Sequence, residues 1–275
     1  MNDSYDWQGR VGENWAREHA RTDRSFAGLT RQLVERIRAL APGCVLDIGC
    51  GAGETSILVG RHNRETDVVG IDLSAQLIAS AKRRGRALKN VRFEIADAAT
   101  WRDPAFVPDT LISRHGVMFF DDPVGAFANL NNAAQPGAQL IFSCFGERSR
   151  NNWATEVAAL VADGAPANIA DPTGPGPFAF ADKAHVTRIL AAAGWEGIAF
   201  EPVDWDYVAG DGADPVGDAL AFFQQIGPAA AAIAGLEPSH RDTLLGRLAD
   251  LAARHVTNGQ VAFAACGWIV TAKAG

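Results

Sequence analysis

A hydrophobic run that ends in glycines at alternate positions, VLDIGCGAGET from Val45 to Thr55, restricts what this chain can fold into more than any other stretch. An apolar strand that runs into Gly49, Gly51 and Gly53 lets a ligand approach the backbone without Cβ interference. The helix start that follows supplies free N–H donors. Dinucleotide-binding loops have the spacing G-x-G-x-x-G, but here Glu54 stands where the third glycine would be and Asp47 precedes the loop. Two carboxylates beside a pyrophosphate repel it, whereas beside an ammonium or a sulfonium they attract. The charge points away from phosphate.

The pattern around this loop is that of an α/β chain. From Gly43 to about Phe145, short apolar strands (CVLDIG, DVVGIDL, VRFEIA, DTLIS, AQLIFSCF) alternate with helices, among them SAQLIASAKRRGRAL and PVGAFANLNNAAQ. Such alternation gives a parallel sheet covered on both faces, and right-handed crossovers make it doubly wound. A sixth strand is expected in WEGIAFEPVDWDYV and a long final one in QVAFAACGWIVTAKAG, seven in all, with an antiparallel last strand. Residues 1–40 carry Phe26, Leu29, Leu33, Ile37 and Leu40 at helical spacing and read as one or two helices forming an N-terminal lid. Residues 41–146 read as the ligand-binding core. Residues 147–275 read as the remainder of the same sheet, with cap insertions at about 147–181 and 213–257. The first insertion holds a Pro/Gly-rich stretch. The second holds two or three helices, TLLGRLADLAARHV being the clearest.

The formal charge of −7 gives no global attraction to nucleic acid, and the local run AKRRGRALK reads as a solvated helix end. No apolar run approaches membrane-spanning length. Cys44, Cys50, Cys144 and Cys266 form no metal-type pair and read as reduced thiols, so a cytoplasmic protein with no metal is expected. Cys50 reads as either an oxidation-sensitive thiol or a spacer packed behind the loop.

Acids recur at strand ends. Asp72 closes the second strand, where a carboxylate can accept ribose hydroxyls. Asp97 closes the third, where it can accept from an adenine amine while Ala96 and Ala98 leave room for the ring. The fourth strand ends in Ser113, Arg114 and His115, at the sheet edge where open α/β folds bind ligands. At these residues the chain resembles the class I S-adenosylmethionine-dependent methyltransferases, small-molecule branch. The matching blocks are VLDIGCGAG, VVGIDLS, FEIADA and DTLISRHGVMFFDDPVGAFANLNNAAQPGAQLIF, with QPGAQL where that family often has two adjacent glycines. The resemblance implies S-adenosylmethionine as cofactor, with Gly49 and Gly51 at its methionine moiety. It implies Asp72 and neighbouring Leu73 at the ribose, Asp97 and Ala98 at the adenine, and main chain near Ser113 and Arg114 at the amino-acid end. Asp47 orients either the loop or the ligand ammonium.

Methyl transfer asks little of a protein beyond alignment and exclusion of water, so the acceptor is not legible in a motif. His115 is the candidate catalytic base; its other reading is packing under the cap. Arg114 pairs either with an anionic substrate or with Asp121, Asp122 or Glu147. Candidate acceptor contacts are Asn152 and Trp153 (with Asn151) after the fifth strand, and Trp15 (with Tyr5 and Trp7) in the N-terminal segment. Phe178 (with Phe180) in the Pro/Gly-rich loop and Phe223 (with Phe222 and Gln224) in the late insertion complete the set. Each of these aromatics has an alternative as core packing. Two rival functions stand beside methyl transfer to a small molecule: an NAD-dependent oxidoreductase, and a non-catalytic S-adenosylmethionine binder.

Overall fold

The computed structural model describes residues 6–162 and 173–275. Tyr5 and residues 163–172 of the Pro/Gly-rich stretch lie outside the described residues. Three helices open the chain, α1 (Arg10–Arg17), α2 (His19–Ser25) and α3 (Ala27–Ala39), one more than expected. The alternating part follows: β1 (Cys44–Ile48), α4 (Glu54–His62), β2 (Asp67–Asp72), α5 (Ala75–Gly85), β3 (Val91–Ile95), β4 (Thr110–Arg114), α6 (Pro123–Ala133) and β5 (Gln139–Phe145). Then come α7 (Asn152–Val161), α8 (Lys183–Ala192), β6 (Trp195–Gly210), α9 (Pro215–Phe223), α10 (Pro228–Ala234), α11 (Pro238–Arg254), β7 (Val256–Thr257) and β8 (Gln260–Ala274).

The strands lie in the order β3-β2-β1-β4-β5-β8-β6, with β1 to β5 parallel and β8 antiparallel to both neighbours. The doubly wound, mostly parallel sheet is the expected one. One strand was not expected. β7 pairs Val256 with Val261 and Thr257 with Gln260, around Asn258 and Gly259, both at positive φ. An Asn-Gly pair suits this mirror-image two-residue turn, which closes a hairpin onto the start of β8.

The central strands are apolar on both faces, with Val45, Leu46, Val69, Leu111 and Leu140 fully buried, as a sheet covered on both sides requires. Helix starts follow local chemistry. Ser74 accepts from Leu77 N–H before α5, Asp122 from Gly125 N–H before α6, and Asp214 from Gly217 N–H before α9. Pro123 and Pro215 occupy first-turn positions, where a missing N–H costs nothing. Chain direction reverses between β1 and β4. β1 leads to β2 on one side and β4 leads to β5 on the other, so the loops after β1 and β4 part and leave a crevice at their carboxyl ends.

Candidate active site

The glycine loop forms one wall of that crevice. Gly49, Gly51 and Gly53 all have positive φ. A Cβ on Gly49 would lie 2.9 Å from Gly116 Cα, so the loops after β1 and β4 touch backbone to backbone. A Cβ on Gly51 would meet nothing within 4 Å. Asp72 braces this loop. Its Oδ2 accepts from Gly51 N–H at 2.9 Å and its Oδ1 from Ser74 N–H at 2.9 Å, while burial raises its pKa. Each oxygen keeps a lone pair for a further donor. Ser113 ties the opposite loop down, donating to Ile48 O at 2.7 Å and accepting from Gly116 N–H at 3.1 Å.

A cavity of about 840 Å³ opens over this crevice. Of the residues expected at the cofactor, Asp47, Gly49, Gly51, Asp72, Leu73, Asp97, Ala98 and Arg114 line it, whereas Ser113 sits behind the wall. Asp47 is buried. Its Oδ2 accepts from Ser56 Oγ at 2.5 Å, its Oδ1 has no partner, and desolvation pushes its pKa up to about 7 against the lowering effect of the Ser56 bond. Asp97 is exposed at the rim and caps its own turn, accepting from Ala99 N–H at 2.8 Å.

Glu54 corrects the reading of the loop's charge. It pairs with Arg84 of α5, does not line the cavity, and so adds no negative charge toward a ligand. Arg84, from the run read as a solvated helix end, also donates to Ala52 O at 2.7 Å and to Asp23 Oδ2 at 2.7 Å. Arg114 pairs with Asp23 Oδ1 at 2.9 Å and Thr30 Oγ1 at 2.9 Å, not with Asp121, Asp122 or Glu147. Asp23 escaped the sequence reading because HARTDRS is polar throughout and looks like a solvated helix.

The far end of the cavity is aromatic. Trp15, Phe26, Phe145, Trp153, Phe178 and Tyr207 line it, with Trp7 beside Trp15 and Phe119 beside Trp7. Of the residues expected at the acceptor, Trp15, Trp153 and Phe178 are therefore among those that line this end of the cavity. Asn152 and Phe223 are not: Asn152 donates to Glu156 Oε1 at 2.8 Å, and Phe223 is buried against Phe222 and Phe263. In that insertion Gln224, Gln225 and Ile226 form the wall instead. Asn151 is fully buried and holds Glu147 O and Cys266 N–H, a structural part. Cys50 sets its Sγ against Gly70 while remaining part of the cavity wall, and burial raises its thiol well above the usual range.

His115 follows β4 at φ 62, a conformation that costs a non-glycine residue energy. Its Nδ1 lies 2.9 Å from Ser143 Oγ, and its ring sits 4.3 Å from Phe145 and 5.0 Å from Phe26. Its Nε2 is covered and without a partner. Burial, with the neighbouring Arg114 charge, pushes the imidazole down to about 3. His115 reaches the cavity, but as a neutral ring in an aromatic cage.

The family model described as a methyltransferase domain matches residues 18–200. The chain belongs to the methyltransferase-domain family. Among curated relatives it is 29% identical over 136 residues to a trans-aconitate 2-methyltransferase of Acidovorax sp. (strain JS42), covering 50% of this chain and 48% of that protein. It is 34% identical over 119 residues to phosphoethanolamine N-methyltransferase 1 of Zea mays, covering 42% and 23%. The matches thus span about half or less of these relatives' lengths. The fold is shared with phosphoethanolamine N-methyltransferase 2 of Haemonchus contortus (TM-score 0.58, 14% identity, 100% of this chain and 62% of that one). It is also shared with a [4+2]-cyclase (TM-score 0.52, 19% identity, 89% and 80%), so this methyltransferase fold alone does not fix a reaction. No helix among the described residues is long and apolar enough to cross a membrane.

Proposed function

We propose that this chain transfers a methyl group from S-adenosylmethionine to a small-molecule acceptor by direct in-line displacement. The observation that carries the reading is a single cavity that joins a glycine loop flanked by acids to an aromatic chamber. Its volume lies in the upper part of the roughly 300–1,000 Å³ range of small-molecule sites, room for a cofactor and a modest acceptor together.

The residues present fit the cofactor. Open space at Gly51 admits a ligand against the backbone, Asp72 keeps lone pairs for ribose hydroxyls, and Asp97 with Ala98 suits an adenine. Buried Asp47, with Oδ1 unpartnered, suits an orienting role near the ligand's ammonium. When bound, the cofactor supplies an electrophilic methyl group on a sulfonium. The chain supplies alignment and a dry chamber, the two things such a displacement needs. Helices α1 and α2 act as the lid, since Trp7, Val11, Asn14, Trp15, His19 and Thr22 line the cavity from that side. A neutral imidazole with so low a pKa is a weak base, so His115 is assigned to shaping the chamber through Phe26 and Phe145 in place of proton abstraction.

Family membership and the names of the relatives, which act on trans-aconitate and phosphoethanolamine, support this reading over the oxidoreductase one. The net charge of −7 and four free thiols support a cytoplasmic setting without a nucleic-acid partner. The test is release of S-adenosylhomocysteine from S-adenosylmethionine when the protein meets a mixture of small-molecule acceptors. Acceptor-dependent release is expected. Tight cofactor binding with no product from any acceptor would leave the non-catalytic binder.

A further inference from the structure

Charge is unevenly divided in the cavity. Its carboxylates are Asp23, Asp47, Asp72 and Asp97. The last three belong to the glycine-loop side, and Asp23 is spent on Arg84 and Arg114. Among the described residues, the aromatic chamber contributes no acid. It contributes Arg148 instead, in the short turn Arg148–Arg150 after β5. That guanidinium lies 5.3 Å from the Phe178 ring, half-buried, and has no ion-pair partner among the described residues. Phe178 lies tilted against Phe145 at 5.5 Å and stacks on Trp153 at 6.2 Å, so the cation is held at the edge of one continuous aromatic surface. A guanidinium fixed by stacking loses little freedom when it binds a carboxylate in its fork.

We propose that the methyl acceptor is a small apolar or aromatic molecule carrying a carboxylate, held with its ring on the Phe145–Phe178 surface and its charge against Arg148. The inference rests on the methyl-transfer reading above and names its substrate class. An ammonium acceptor would find aromatic faces, which attract cations, but also, among the described residues, an arginine without an ion-pair partner and no carboxylate. A carboxylate acceptor needs no base. Its oxygen forms the bond to the methyl carbon as the carbon–sulfur bond breaks, and the bonding pair stays on sulfur. The products are a neutral ester and a thioether, and no proton is released. That agrees with a chamber whose histidine is caged and neutral.

The experiment is calorimetric titration of the S-adenosylhomocysteine-saturated protein with benzoate, benzyl alcohol and benzylamine, on wild type, Arg148→Gln and Arg148→Lys. Benzoate is expected to bind best, to lose about tenfold or more in Arg148→Gln, and to recover partly in Arg148→Lys. Benzylamine binding as tightly as benzoate, benzoate affinity unchanged in Arg148→Gln, or no saturable benzoate binding would each overturn the proposal. S-adenosylhomocysteine affinity separates the two levels. If wild type fails to bind it, the functional reading itself falls; if both variants retain it, a loss of benzoate belongs to Arg148.

Discussion

Asp23 Oδ1 accepts from Arg114 Nη2 at 2.9 Å, which fastens the second helix of the chain to the end of β4, beside the glycine loop. The same carboxylate holds Arg84 at 2.7 Å through its other oxygen, and Arg84 holds Ala52 O. Helix α2 is thus tied to both walls of the crevice. Asp23 and Arg114 are each about 15% exposed, so breaking the pair strands a poorly solvated cation. Asp23→Asn is expected to lower stability by about 1–3 kcal/mol and to speed cofactor dissociation. Denaturant melts and stopped-flow release check this; unchanged release would disconnect α2 from the site.

Two glycine sites of the loop should fail in different ways. Both Gly49 and Gly51 occupy the left-handed region, where an alanine costs about 1–2 kcal/mol. At Gly49 the new methyl also meets the Gly116 backbone at 2.9 Å, so Gly49→Ala should unfold earlier. At Gly51 the methyl enters open space, so Gly51→Ala should keep most of its stability and lose ligand affinity. Thermal melts with and without S-adenosylhomocysteine separate the two outcomes.

Burial sets two opposed pH slopes. Asp47 is raised to about 7, so the folded state holds its proton longer than the unfolded chain does. Its contribution is full below the ordinary carboxyl pKa and is lost as pH rises to about 7. His115 is lowered to about 3, so its contribution is full above the ordinary imidazole pKa of about 6.5 and is lost as pH falls toward 3. Melting temperature against pH should therefore flatten above pH 4 in Asp47→Asn and below pH 6.5 in His115→Gln. If neither variant changes the profile, these burial effects are absent.

The thiols should be slow nucleophiles. Burial raises Cys50 and Cys144, which leaves little thiolate at neutral pH. Iodoacetamide at pH 7.5 should label neither in the native protein within the time that it labels both after unfolding, as peptide mass spectrometry would show. Fast native labelling of Cys50 would restore the redox reading of the loop.

The sheet was legible because each central strand is a short apolar run punctuated by glycine, and the acids on the glycine-loop side of the cavity were legible because Asp72 ends β2 and Asp97 stands just beyond β3. The reach of long side chains was not. Glu54 looked like a ligand-facing acid because it follows the loop directly, yet Arg84, thirty residues on, neutralises it. Asp23 and Arg148 sit in polar segments with no periodicity to mark them, and only the packing of α2 and the turn after β5 against the crevice brings them to the cavity. The β7–β8 hairpin did carry a signal, in Asn258-Gly259, but the two residues of β7 give no alternation to read.

The central claim is that the crevice between β1 and β4 holds an adenosyl ligand through Asp72. The direct measurement is calorimetric titration of wild type and Asp72→Ala with S-adenosylhomocysteine and with NAD. The account predicts micromolar binding of S-adenosylhomocysteine, none of NAD, and a loss of roughly tenfold to a hundredfold in the variant. Binding of NAD without S-adenosylhomocysteine would contradict it, and every role assigned along the cavity would fall with it.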